Sequence, residues 1–132
     1  MIVAIGTDLT EVERIRAAVT NPRSGRRFRD RVFTPEEQAY CERRGRAAYQ
    51  SYAARFAAKE AVMKALGQGW GPRLGWLDIE VRRQPGGRPE VRLSDRAKAC
   101  AASLGVRRLH LTLTHTATLA EAQVVAEGKG EG

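Results

Sequence analysis

The sequence predicts an α+β fold: a single domain in which a small, mostly antiparallel sheet packs around a long central helix. Three observations predict it. An alanine-rich stretch from Arg55 to Gly67, RFAAKEAVMKALG, has helical spacing and no proline. Several short runs are β-branched or alternate apolar with polar, and the pair Gly86-Gly87 joins two of them as a hairpin. At 132 residues there is length for one core and little room for two, so residues 1–127 are read as one domain and 128–132, GKGEG, as a flexible tail.

Ile2 to Ile5 reads as a short strand buried on both faces, with Gly6 at its end and Asp8 emerging just beyond. Thr10 to Glu13 has the spacing of a capping box, opening a helix with Val12, Ile15 and Val19 on its apolar side. Residues 21–31, NPRSGRRFRDR, read as a basic, mobile connection. Thr34-Pro35-Glu36-Glu37 supplies a second capping box, for a short exposed helix that runs to Arg44 and stops at Gly45. The central helix then extends from about Ala47 to Gly67, where an αL residue ends it. A glycine-rich turn, GQGWGPRLG, leads to a strand with Leu77, Ile79 and Val81 on one face, and the hairpin partner follows through Val91 and Leu93. Ser94 caps a helix with Ala97, Ala101 and Leu104 on its apolar side and Gly105 at its close. Leu109, Leu111 and Leu113 alternate with polar residues up to His115, and a last strand covers Leu119 to Ala126.

An apolar content of 42% suits a globular domain, and no apolar run approaches the roughly 18–20 residues of a membrane span. The start resembles a strand rather than a leader, which makes a cytoplasmic location the expectation. Cys41 and Cys100 are far apart and lack metal-ligand spacing, so both are read as free thiols. A net charge of +8 points to an anionic partner without saying which one.

Helical spacing places Glu60, Lys64 and Gly67 along one edge of the central helix, so a carboxylate and an ammonium share that edge. With Asp8 there are two carboxylates that together could hold one hard cation. Each has an ordinary alternative. Glu followed by Lys at i+4 is a common surface pair contributing about 0.2–0.5 kcal/mol, Asp8 suits a turn before a helix, and His115 suits a strand end.

Taken together, IGTDLTEVERI, FTPEEQAYC, RFAAKEAVMKALG, GGRPEVRLS and LTLTHTATLAEAQVVAE, in that order, resemble the holo-[acyl-carrier-protein] synthases, the short-type 4′-phosphopantetheinyl transferases. The resemblance spans nearly the whole chain. It implies that family's fold and the Mg²⁺-dependent transfer of phosphopantetheine from coenzyme A to a serine of apo acyl carrier protein. Adenosine 3′,5′-bisphosphate is the expected by-product, and fatty acid biosynthesis the expected setting. By the family's pattern Asp8 and Glu60 bind the metal, Glu60 is the favoured base, acting directly or through a water, and Lys64 assists the leaving group. Coenzyme A is expected to meet Arg55, Lys59, Lys64, Gly67, His115 and Thr116, with Thr114 in place of the family's usual serine and Leu119 where an aromatic is frequent. Arg14 matches a carrier-docking position, and Arg23, Arg26 and Arg27 extend the basic patch. A homotrimer with sites between subunits is also implied. The competing class is a basic nucleic-acid-binding domain, disfavoured because the strands carry no aromatic pair for stacking bases. A metal-dependent phosphoesterase lacks the second carboxylate cluster of two-metal chemistry. Neither nucleic acid nor membrane is expected as a partner.

Overall fold

The computed structural model describes residues 1–67 and 74–130. In order it comprises β1 (Ile2–Glu11), α1 (Val12–Thr20), α2 (Gly25–Val32), α3 (Pro35–Glu42), a 3₁₀ turn (Gly45–Ala47), α4 (Ala48–Ala65), a second 3₁₀ turn (Trp76–Asp78), β2 (Ile79–Arg83), β3 (Pro89–Leu93), α5 (Asp95–Ser103), β4 (Val106–His115) and β5 (Leu119–Gly128). Strands β1, β5 and β4 form one antiparallel sheet with β5 in the middle, and β2 pairs with β3 as a separate hairpin.

Alternation along the strands decides what meets α4. Ala120, Ala122, Val124 and Ala126 of β5 are all buried, as are Ala53, Ala54, Ala57, Ala58, Ala61 and Ala65 of α4. Small residues on both sides let main chains approach closely. At Gly6 of β1 the limit is reached, because a Cβ there would lie 2.0 Å from the Ala61 carbonyl oxygen and 2.9 Å from the Ala65 nitrogen. Around the helix's other sides stand Phe33 against Tyr52, with ring centroids 4.8 Å apart, and Phe56 stacked on Trp76 at 5.0 Å. A helix apolar on nearly every side is a core helix.

One ion pair lies inside this core. Lys59 Nζ is 2.7 Å from Glu37 Oε1 and donates to the carbonyls of Trp76 (3.0 Å) and Ile79 (2.5 Å). Glu37 also accepts from the backbone nitrogens of Thr34 and Val81. Two charges that would be costly alone are hydrogen-bonded on both sides, and they tie α4 to α3 and β2.

Several expectations are corrected. Strand β1 continues to Glu11, and it is not buried on both faces: Ile5 is 66% and Leu9 61% exposed on the side away from α4. Thr10 therefore caps nothing; α1 starts at Val12 behind Glu11, which makes no side-chain cap bond. The basic connection contains a helix, α2, entered through Asn21 Oδ1, which accepts from the backbone of Arg23 and Ser24. Helix α3 is short as expected and has the capping box of Thr34 and Glu37, yet Glu37 and Cys41 are buried rather than exposed. Leu77 belongs to a 3₁₀ turn, and Leu104 is exposed. Gly128, assigned to the tail, ends β5 and donates to the Met1 carbonyl at 2.7 Å. Both cysteines are free, and burial pushes the Cys41 thiol up to about 12. The turn expected over residues 67–75 lies mostly outside the described residues. Gly67 adopts the expected left-handed conformation, with φ of 66°.

Gly6→Ala should lower stability by about 1–3 kcal/mol, because backbone atoms rather than a side chain must give way. Lys59→Met, which strands the Glu37 carboxylate in the core, should cost about 3–5 kcal/mol. Urea unfolding midpoints measure both. A Lys59→Met midpoint equal to that of the parent chain would show that the pair is dispensable.

Candidate active site

The crossing of β1 over α4 at Gly6 sets which side chains meet next to it. Two residues on, Asp8 faces the same side of the strand, where Lys64 rises from the last turn of α4. Lys64 Nζ is 3.0 Å from Asp8 Oδ1 and donates to the Thr7 carbonyl at 3.1 Å. The other carboxylate oxygen, Oδ2, accepts a 2.7 Å bond from Thr10 Oγ1. Asp8 is thus oriented from two directions.

Glu60, one turn before Lys64, completes the group. Burial first, and then the negative charge of Asp8, push its carboxyl above the ordinary glutamate range, while Lys64 and Arg14 pull the other way. The predicted residues Asp8, Glu60, Lys64 and Arg14 are therefore brought together, from three elements. Gly67 follows at the end of α4. Two carboxylates that repel one another, both partly open to solvent, make a hard-oxygen donor pair that suits a small divalent cation completed by phosphate and water. Among the described residues no group of three or more His, Cys, Asp or Glu side chains could hold a metal by itself.

The remaining residues lie apart. His115 and Thr116 are exposed at the turn from β4 to β5, and no hydrogen bond or ion pair links them to Asp8, Glu60 or Lys64 among the described residues. The Thr116 hydroxyl is turned inward to its own loop, accepting from the backbone of Thr118 and Leu119. Lys59 is 0% exposed, with its ammonium committed to Glu37, Trp76 and Ile79, so the expectation that it faces coenzyme phosphates is corrected to a structural role. Arg55 is 2% exposed and lies 4.1 Å over the Tyr40 ring, inside the fold rather than on the helix surface. Sequence reasoning misses Thr10, whose bond to Asp8 follows only once β1 is known to continue through it.

A model of the 4′-phosphopantetheinyl transferase superfamily matches residues 4–120. The chain belongs to the holo-[acyl-carrier-protein] synthase family of these transferases. It is 49% identical over 131 residues to the holo-[acyl-carrier-protein] synthase of an Anaeromyxobacter strain, covering 98% of this chain and 99% of the relative. To that of Ruminiclostridium cellulolyticum it is 46% identical over 125 residues, covering 95% and 92%. Among solved structures, the family member from Neisseria meningitidis superposes with a TM-score of 0.86 at 31% identity, covering 96% of this chain and 99% of the other. The Helicobacter pylori member, solved in complex with coenzyme A, gives 0.80 at 32%, covering 93% and 99%. The mostly antiparallel α+β architecture is that of the holo-[acyl-carrier-protein] synthases.

The raised Glu60 carboxyl has a consequence for stability. A group whose folded-state pKa is raised favours the fold while protonated; that contribution is complete below about pH 4.3 and is lost as pH rises through the raised value. Without divalent cation, Glu60→Gln should therefore melt at a higher temperature than the parent chain at pH 8, with the gap closing toward pH 4. Thermal melts across that range measure it, and a gap independent of pH would place the effect elsewhere.

Proposed function

We propose that this protein transfers the 4′-phosphopantetheine arm of coenzyme A to a serine hydroxyl of apo acyl carrier protein, with Mg²⁺, in service of fatty acid synthesis. The observation that carries the reading is the carboxylate pair Asp8 and Glu60, with the Lys64 ammonium bonded to one of them, at the crossing of β1 and α4. The serine oxygen bonds to the β-phosphorus of coenzyme A, the bridge from that phosphorus to the α-phosphate breaks, and adenosine 3′,5′-bisphosphate leaves. Such a reaction asks mainly for positioning and for positive charge where negative charge accumulates.

The chain's residues divide that work. Lys64 uses two of its three N–H donors on Asp8 and Thr7, so the third is available to a phosphate oxygen. Asp8, held by Lys64 and Thr10, is a preoriented ligand, and Glu60 is the second. Mg²⁺ bound there supplies charge neutralisation to the phosphates. Glu60, a carboxylate beside the position the attacking hydroxyl would take, is also our base for the serine proton, acting directly or through a water. Arg14, beside Glu60, receives the acidic carrier protein, and the +8 chain charge speeds the encounter in a salt-dependent way.

His115 and Thr116 lie outside the Asp8–Glu60–Lys64 cluster of their own chain, which supports their serving a neighbouring subunit's coenzyme. The face of β1 turned from α4 supports the same arrangement: Ile5 and Leu9 stand exposed there, with Leu119 at the start of β5. A trimer closed over that face is our reading of the assembly. Light scattering in solution should give the mass of three chains, and Ile5→Glu should release monomers; a monomeric parent chain would exclude it.

The transfer itself is tested by the intact mass of apo acyl carrier protein after incubation with this protein, coenzyme A and Mg²⁺. A phosphopantetheine-sized gain is expected, abolished by a chelator and restored by Mg²⁺. Asp8→Asn and Glu60→Gln should each slow it at least about 100-fold. No gain with any carrier protein would overturn the assignment.

A further inference from the structure

The capping-box spacing of Thr10 and Glu13 goes unused at the start of α1, where Glu11 precedes the helix without a side-chain cap bond. The hydroxyl that this spacing would commit to the helix is committed elsewhere: Thr10 Oγ1 donates to Asp8 Oδ2 at 2.7 Å. Residues two apart on a strand share a face, so the contact forms within β1 itself. Thr10 is 1% exposed and pairs with Ala120 of β5, which is buried too. A β-branched side chain packed in this way has its χ1 angle fixed, and the position of its hydroxyl with it.

Asp8 is thus held by two donors of different kinds. Lys64 reaches the other oxygen, Oδ1, at 3.0 Å, but its side chain is 54% exposed against 15% for that of Asp8. A long exposed side chain keeps much of its rotamer freedom, and its positive charge repels any cation that approaches the same carboxylate. The Thr10 hydroxyl is fixed and neutral. It orients the carboxylate without opposing a cation, and an oxygen that accepts one hydrogen bond still has a lone pair to give. Outer-shell donors of this kind typically change metal affinity by about 10- to 100-fold when they are removed.

We propose that Thr10 is a positioning residue for the cation site: its buried hydroxyl, rather than the Lys64 ammonium, holds the Asp8 carboxylate in the orientation in which it shares a divalent ion with Glu60. The inference rests on the transfer reading above, which puts the ion there. It assigns opposite consequences to two donors on one carboxylate, since removing the neutral one weakens the ion's hold and removing the charged one does not.

The test reads ion binding directly, with neither coenzyme nor carrier protein present. Mn²⁺, which suits the same carboxylate ligands as Mg²⁺, is titrated into the full-length chain and the free ion is counted from its paramagnetic resonance signal. Asp8→Asn should abolish the binding, which assigns the signal to this site. Thr10→Val keeps the shape of the side chain and removes the hydroxyl; it should weaken Mn²⁺ binding about 10-fold, and Thr10→Ser, which keeps the hydroxyl, should stay within about threefold of the parent. Lys64→Met should bind the ion at least as tightly as the parent chain. In the transfer assay Thr10→Val should raise the Mg²⁺ concentration for half-maximal rate by about 10-fold and leave KM for carrier protein within about twofold. Should the valine variant fold poorly, Thr10→Ala lacks the same hydroxyl without crowding the site and should show the same loss. A valine variant equal to the parent, a weaker Lys64→Met, or losses of affinity that merely track metal-free thermal stability across the Thr10 variants would overturn the inference. So would a parent chain that takes up no Mn²⁺, because a carboxylate already oriented by Thr10 must accept the ion without coenzyme. Failure of the transfer reading shows separately, as a chain that binds Mn²⁺ yet adds no mass to any carrier protein.

Discussion

The close approach of β1 to α4 at Gly6 is the constraint on which the rest depends. No side chain stands between strand and helix at that point, so the register of one against the other is set by main-chain atoms. The carboxylate two residues along the strand then falls opposite the last turn of α4, where Lys64 meets it and Glu60 feels its charge. The alanines of α4 and β5 extend the same contact across the sheet, and the aromatic residues and the Lys59–Glu37 pair hold the far sides of the helix. A bulkier seam would move every one of these groups.

Much of this was legible in the sequence, and the misses have physical causes. The hairpin, α3, α4, α5 and the two C-terminal strands follow from periodicity, caps and glycines, which are local signals. The continuation of β1 through Thr10 is hidden because Thr10 and Glu13 have the spacing of a capping box; pairing with β5 as far as Leu119 overrides it. Helix α2 is hidden because its arginines carry little apolar periodicity. Its anchors are tertiary: Gly25 packs against the Val19 carbonyl, and Arg29 donates to that same oxygen at 2.6 Å.

The site divides in the same way. Asp8, Glu60 and Lys64 were singled out by the resemblance, since each has an ordinary alternative when read alone, and it is the fold that brings the three together. Arg55 and Lys59 resist sequence reading, since helical spacing assigns long cations to solvent unless their partners are known. Those partners, Glu37, Tyr40 and the carbonyls of Trp76 and Ile79, come from distant segments that only the fold assembles. The family resemblance implied a chemistry, while burial shows that Arg55 and Lys59 are committed inside the fold.

The bare contact at Gly6 also bears on mechanical stiffness. Where side chains fill a seam, a change of rotamer absorbs small displacements and neighbouring groups drift with temperature or ligand. Here a carbonyl oxygen and an amide nitrogen of the helix occupy the space a Cβ would need, and neither has a rotamer to change. The separation of Asp8 from the helix that carries Glu60 and Lys64 therefore has the compliance of main chain, and adjustment to an incoming phosphate falls to the side chains alone.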